Sequence, residues 1–321
     1  MLWYIRGSEA HTANPRNAML KFSNANAKIE ALGKIASLKK FLVKRKVFSL
    51  DLLSGYSCPY AKDCLSKVVE IGGKRTIKDG PDTVFRCFSA SQEAVFPAVY
   101  NLRKHNFDTL RAAKTSTDMC DILRDSLPPN LGIGRIHVGG DFFNRHYMMA
   151  WAMLAEFNPS RLFYAYTKSL PFWIRHREYF DSLPNFILTA SYGGRHDHLI
   201  EQENLRFSKV VNYPTKALRD QVVREMFEQS VVEYNKATAK STQKSTDLIE
   251  QANKIRTTPT AECLDLDIDH DDSHAADPTK RNESFALLIH GTQPKGSDSG
   301  LAMRALKKNN VKHTYNRKVT T

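Results

Sequence analysis

Short apolar runs bounded by glycine, proline and small polar residues recur along this chain, and stretches of helical periodicity separate them. Residues 47–53, 134–139, 162–166, 186–190, 208–212, 264–268 and 285–290 read as strands. Residues 89–104, 145–157, 172–181 and 215–235 carry helical patterns. Strand alternating with helix predicts βαβ units on a mostly parallel sheet. Seven strands spread over most of a 321-residue chain predict an α/β fold, a partial or incomplete (β/α) barrel rather than a small doubly wound sheet.

The pattern also divides the chain. Residues 1–46 form a basic N-terminal segment, 47–306 the barrel-like domain, and 307–321 a basic tail expected to fray from Lys307 onward. Residues 236–262, rich in Thr, Ser, Lys, Gln and Ala, read as a polar insertion or a partly mobile helix and loop. A hydrophobic content of 41% supports a full core. There is no apolar run long enough to span a bilayer, and the opening Met1-Leu2-Trp3-Tyr4-Ile5-Arg6 is too short an apolar stretch for a secretory signal.

Charge changes the picture at the ends. Residues 1–50 hold 10 Lys/Arg against 2 Asp/Glu, and residues 301–321 hold 6 Lys/Arg and no acid. The net charge of +13 therefore belongs to the termini, with the middle close to neutral. Basic arms of this kind fit DNA or RNA through phosphate contacts, with Trp3 and Tyr4 as stacking groups, or serve only to keep the protein soluble.

Five cysteines, an odd number in a long chain, argue against a disulfide scaffold and for a reducing compartment where thiols bind metals. Cys58 and Cys64 bracket Pro59-Tyr60-Ala61-Lys62-Asp63 just after the first strand and its Ser54-Gly55 break, and Cys87 follows in Phe85-Arg86-Cys87-Phe88. Three thiolates leave a fourth metal position open. Zinc ribbons use two close cysteine pairs, which this chain lacks, whereas a [4Fe–4S] cluster tolerates wider spacing. Cys120 and Cys263 are the candidates for a fourth thiolate.

The strand at 134–139 ends in Gly139-Gly140-Asp141. In a parallel sheet ligands sit beyond the carboxyl ends of the strands, and two glycines let the backbone come close to one. Thr167-Lys168-Ser169 follows the third strand, Ser191-Tyr192-Gly193-Gly194-Arg195 the fourth, and His290-Gly291-Thr292-Gln293 the last. Lys168 and Arg195 would hold a carboxylate or phosphate. The turn near Gly296 would offer N–H groups at a helix start. Each alone is ordinary turn chemistry; their recurrence after successive strands makes them a candidate site.

That order of features resembles the radical S-adenosylmethionine superfamily, whose partial (β/α) barrel carries three cysteines on a [4Fe–4S] cluster. The resemblance implies that Cys58, Cys64 and Cys87 hold such a cluster, that its open iron takes S-adenosylmethionine, and that Gly139-Gly140-Asp141 meets the cofactor's amino group. Thr167, Lys168, Ser191, Arg195 and His290 are placed with it as cofactor-binding candidates. The superfamily's cysteines crowd into one short loop; here Cys87 arrives from well beyond Cys64.

Nearly the whole chain more closely resembles the phage "gene product 88" family. The segments that carry the likeness are Cys58-Pro59-Tyr60-Ala61-Lys62-Asp63-Cys64, Arg86-Cys87-Phe88-Ser89-Ala90-Ser91-Gln92-Glu93, Arg135-Ile136-His137-Val138-Gly139-Gly140-Asp141-Phe142, Tyr164-Ala165-Tyr166-Thr167-Lys168-Ser169, Asp269-His270-Asp271-Asp272 and Leu287-Leu288-Ile289-His290-Gly291-Thr292-Gln293. The likeness implies a phage-encoded protein of the host cytoplasm and supplies no reaction.

Three functions remain open to the sequence. The first is an iron–sulfur protein acting as an enzyme on nucleic acid or a nucleotide. The second is a nucleic-acid-binding phage protein whose cluster or zinc ion is structural. The third is a nuclease in which Asp269, His270 and Asp271 bind Mg²⁺ or Mn²⁺. It leaves the cysteines unexplained.

Overall fold

The computed structural model describes residues 19–311. Trp3, Tyr4 and the last ten residues of the basic tail lie outside the described residues. The chain opens with a short edge strand β1 (Ser23–Asn24) and a strand β2 (Lys46–Leu50). A two-stranded hairpin follows, β3 (Ser66–Ile71) and β4 (Lys74–Asp79). Five further strands are β5 (Leu131–Ile136), β6 (Leu162–Thr167), β7 (Phe186–Ser191), β8 (Phe207–Val211) and β9 (Phe285–Leu288).

Seven of the nine strands make one curled half-barrel sheet in the order β1-β2-β5-β6-β7-β8-β9. β1 is antiparallel to β2, and every other neighbouring pair is parallel. Nearly every residue of β5, β6 and β7 is buried, as expected of parallel strands covered on both faces.

The helices are α1 (Ala27–Glu30), α2 (Phe88–Val95), α3 (Pro97–Ala112), α4 (Ser116–Ser126), α5 (Arg145–Glu156) and α6 (Leu170–Ile174). They continue with α7 (Arg177–Asp181), α8 (His198–Gln202), α9 (Lys216–Tyr234), α10 (Ala239–Arg256), α11 (Ser273–Ala276) and α12 (Asp298–Lys308). Phe163, Ala165, Phe186 and Leu188 face one side of the sheet and pack with Tyr147, Met148 and Trp151 of α5. Ile133, Leu162, Tyr164 and Ile187 face the other, where Ile29, Leu32, Leu38 and Phe41 cover them. The described part of the basic N-terminal segment thus fills one face of the sheet. Its path is close: a Cβ on Gly132 would stand 2.1 Å from the Phe41 carbonyl oxygen.

The structure departs from the sequence pattern at residues 264–268 and adds the hairpin β3–β4 and helix α4, which the pattern did not mark. Residues 264–268 are not a strand: a 3-10 turn covers Glu262–Leu264, Asp265 is left-handed, and only Ile268 bridges to Ala286. The alternation of Leu266 and Ile268 with aspartates mimics a half-buried strand, but these side chains instead pack against the small core around Val211, Ala286 and Leu288. The polar stretch after residue 236 is mostly the long helix α10, which packs along α9 and buries Ala252 and Ile255.

A thiol-lined cavity at the carboxyl ends of the strands

The site starts from the way the two cysteine segments reach the sheet. After β2 the chain turns at Gly55, whose φ of +72° suits glycine, and a Cβ there would stand 2.7 Å from the Ser66 oxygen. The loop from Cys58 to Cys64 then lies on the turn after β7. Lys62 and Asp63 both donate N–H bonds of 3.0 Å to the Gly193 carbonyl, and Arg195 donates from its N–H to the Tyr60 carbonyl at 2.8 Å. The hairpin β3–β4 accounts for the wide cysteine spacing. It leaves after Cys64 and brings the chain back, where Val84 and Phe85 donate to the Asp63 carbonyl and Cys87 donates its N–H to Ser66 Oγ at 3.2 Å.

Cys87 is the N-cap residue of α2. The segment after β9 clamps this end of the helix. Gln293 accepts from the Arg86 N–H at 2.9 Å and donates to the Arg86 and His290 carbonyls at 3.0 Å. His290 packs its ring on Phe88 at 4.4 Å, and Gly291, at a φ of +81°, leaves room for the Phe88 Cβ.

Gly139 and Gly140 join both cysteine segments to the sheet. A Cβ on Gly139 would stand 2.1 Å from Ser89 Oγ of α2, and one on Gly140 (φ +96°) 2.6 Å from Ser57 Oγ, beside Cys58. Beneath them lies a buried charged network. Arg103 pairs with Glu93 at 3.1 Å and lies 3.9 Å from Asp51. Asp51 accepts from the Val138 N–H at 2.7 Å, and Glu93 accepts from the Ser54 hydroxyl at 2.7 Å.

The result is one cavity of about 180 Å³. Cys58, Cys64, Cys87, Gly139, Gly140, Asp141, Thr167, Lys168, Ser191 and His290 all line it. Arg195 does not; it is exposed, and its backbone rather than its guanidinium serves the cysteine loop. Cys120 is buried in α4, and Cys263 is exposed after α10, so neither reaches the cavity as a fourth thiolate. Gly296 lies outside it as well. Asp269 accepts from the backbone N–H groups of Asp271, Ser273, His274 and Ala275, and so builds the start of α11 rather than an open metal site.

Burial drives the electrostatics. It pushes the Cys58 thiol well above its ordinary value, and the negative Asp141, Cys87 and Cys64 add to the rise. Cys87 is pushed up to about 11 by burial and by Cys64, against the opposing N–H groups of Ala90 and Ser89. Burial opposes the charge on Lys168, but Cys64, Asp141, Cys58 and Asp197 outweigh it and hold the ammonium above its usual range. Lys168 Nζ donates to Ser191 at 2.7 Å. Asp141 is raised by burial although Thr167 Oγ1 at 2.7 Å, the Lys168 N–H at 2.8 Å and the Phe142 N–H at 2.7 Å all donate to it.

The lining also holds residues the sequence reading missed. Lys28, Arg135, His137 and Tyr166 are among them. Asp272 binds Arg135 and lies 2.7 Å from Lys28, and it accepts from Tyr164 at 3.0 Å and Tyr166 at 3.2 Å. Burial opposes its charge, but Arg135 and Lys28 hold its pKa down at about 2. No local motif signals a pair so far apart in the chain; the buried Arg135 within an apolar strand is the nearest to one. His137, at a φ of +68°, is held neutral with a pKa near 3 by burial and by Arg135.

Among the described residues, no three His, Cys, Asp or Glu side chains are grouped as the ligands of one ion would be. Cys58, Cys64 and Cys87 nonetheless line one cavity. An iron–sulfur cluster would draw on cysteine thiolates, which can be set wider apart than the ligands of one zinc ion. Gly55 directs a backbone N–H at the Cys58 sulfur, and Ser89 and Ala90 direct theirs at Cys87. Such bonds favour the thiolate form of a cysteine.

Fold and site together define a half-barrel α/β protein with a thiol-lined cavity at the strands' carboxyl ends. The chain belongs to a phage protein family: the family model described as Gene product 88 matches residues 18–311. Nothing among the curated proteins and nothing among the solved structures matches it.

Proposed function

We propose that this protein is a phage iron–sulfur protein of radical S-adenosylmethionine type, acting as an enzyme on nucleic acid or a nucleotide. The observation that carries the reading is the convergence of Cys58, Cys64 and Cys87 on one cavity with Gly139, Gly140 and Asp141. Cys58, Cys64 and Cys87 would hold a [4Fe–4S] cluster, which supplies one-electron chemistry and an open iron when bound.

The chain's own groups have definite tasks around it. Lys168 sets an ammonium among the thiols and Asp141, where it offsets the negative charge of thiolate ligands. Phe85, Val210, Leu287 and Ile289 give the cavity apolar lining, which limits water. Asp141 has room for one more donor, since a carboxylate offers about four acceptor positions and three are filled. That position suits the ammonium of S-adenosylmethionine. Lys28 and Arg135 face the same space and suit a carboxylate or phosphate on the bound molecule.

The test is the absorbance of anaerobically purified protein and of Cys58→Ala, Cys64→Ala and Cys87→Ala. Loss of the brown absorbance near 400 nm in all three is the expected result. Full iron retention in any one of them would remove that cysteine from the ligand set.

A further inference from the structure

The hairpin that separates Cys64 from Cys87 carries a feature the cluster does not need. Its inner face, Ser66 and Val68 against Asp79 and Ile77, is turned toward α2 and α3, with Arg75 over the Tyr100 ring. Side chains alternate along a strand, so Lys67, Val69 and Ile71 of β3 share the outer face with Lys78, Thr76 and Lys74 of β4. That face has three lysines and no acid. Lys67 stands directly opposite Lys78, an arrangement of like charges that costs stability. Among the described residues none of the three lysines forms an ion pair. Tyr56, which is 42% exposed, lies beside them with the Lys67 ammonium 5.2 Å over its ring. The ribbon ends in a slender turn, Gly72-Gly73, at φ of +57° and +74° with open space around both.

We infer that this outer face binds the phosphodiester backbone of a nucleic acid strand. Ammonium groups gathered on one face with no carboxylate among them favour an anion there. Lys74 and Lys78 lie four residues apart on one strand, about 14 Å at ~3.4 Å per residue. One phosphate cannot serve both; a chain of phosphates can. Lysine acts there as a point charge that positions a strand without reading its sequence, and Tyr56 supplies a ring for base stacking. The placement ties the surface to the site. Tyr56 donates its hydroxyl to the Val68 carbonyl at 3.0 Å, and the hairpin base holds Cys87 through Ser66. The base of the ribbon thereby adjoins the segment that carries Cys87 into the cavity. The inference deepens the nucleic-acid part of the reading above and is independent of the cluster.

The test uses the full chain and a fluorescein-labelled 20-nucleotide DNA single strand, followed by anisotropy over a salt series. A K67E/K74E/K78E variant is compared with K34E/K39E/K240E, which makes the same charge change at exposed lysines elsewhere. The hairpin variant should lose at least tenfold in affinity, and its slope of log affinity against log salt should flatten by about 2, from ~0.7 per single-strand phosphate contact. The control variant should bind within twofold of the unaltered chain. Equal losses in both variants, no loss in the hairpin variant, or no binding by the unaltered chain overturns the inference. So does binding by the hairpin face of anionic phosphatidylserine vesicles in place of DNA. Iron content and melting temperature, measured on the same samples, separate these outcomes from failure of the cluster or of folding.

Discussion

The side-chain amide of Gln293 holds the backbone of Arg86 at both ends, accepting from its N–H and donating to its carbonyl. A residue past the last strand thereby fixes the approach to Cys87, more than two hundred positions earlier. Removing that amide leaves backbone groups to find other partners, at about 1–3 kcal/mol. Gln293→Ala is expected to lower stability by that amount in urea melts. Under the proposed function it should also release iron faster than the unaltered chain on exposure to a chelator. Unchanged stability would show that the clamp contributes nothing.

Gly140 and Gly296 separate crowding from backbone strain. Both have positive φ, but a Cβ on Gly140 meets Ser57 and Leu52, whereas one on Gly296 meets nothing within 4 Å. Gly296→Ala should cost about 1–2 kcal/mol, the price of a left-handed alanine. Gly140→Ala should cost that plus about 1–3 kcal/mol of overpacking, and should disturb the Cys58 loop. Equal melting temperatures for the two variants would contradict this placement of Gly140.

His137 sets an acid limit on stability. Its folded pKa is depressed to about 3 from an ordinary 6.5, so between those values the unfolded chain binds a proton that the folded one does not. Stability from this group is complete above pH 6.5 and falls as the pH drops toward 3. The steepest slope is about 1.4 kcal/mol per pH unit. His137→Asn, a residue that tolerates positive φ, should flatten the decline in denaturant melts across that range. An unaltered slope would mean that other groups set it.

Much of the half-barrel was legible because parallel strands covered on both faces read as plain apolar runs, as in 162–166 and 186–190. The hairpin β3–β4 was not, since its outer face mixes three lysines with Val69, Ile71 and Thr76 and its inner face is short. Helix α10 was legible only as part of a polar insertion, because Ser241, Ser245, Ala252 and Ile255 are all it buries. The order of cysteines, Gly-Gly-Asp and strand-end polar residues pointed to one face, where ten of those residues line one cavity. Arg195 does not line it; the turn after β7 uses its N–H to hold the cysteine loop. The Lys28–Asp272–Arg135 network could not be read, since its members come from three distant segments and meet only when the sheet curls.

The central claim is a cluster held by Cys58, Cys64 and Cys87, and elemental analysis tests it most directly. Iron, acid-labile sulfide and zinc should be measured on anaerobically purified protein beside its absorbance spectrum. About four irons and four sulfides per chain, with little zinc, is the expected result. Zinc in place of iron, or no metal after reconstitution with iron and sulfide, would contradict it.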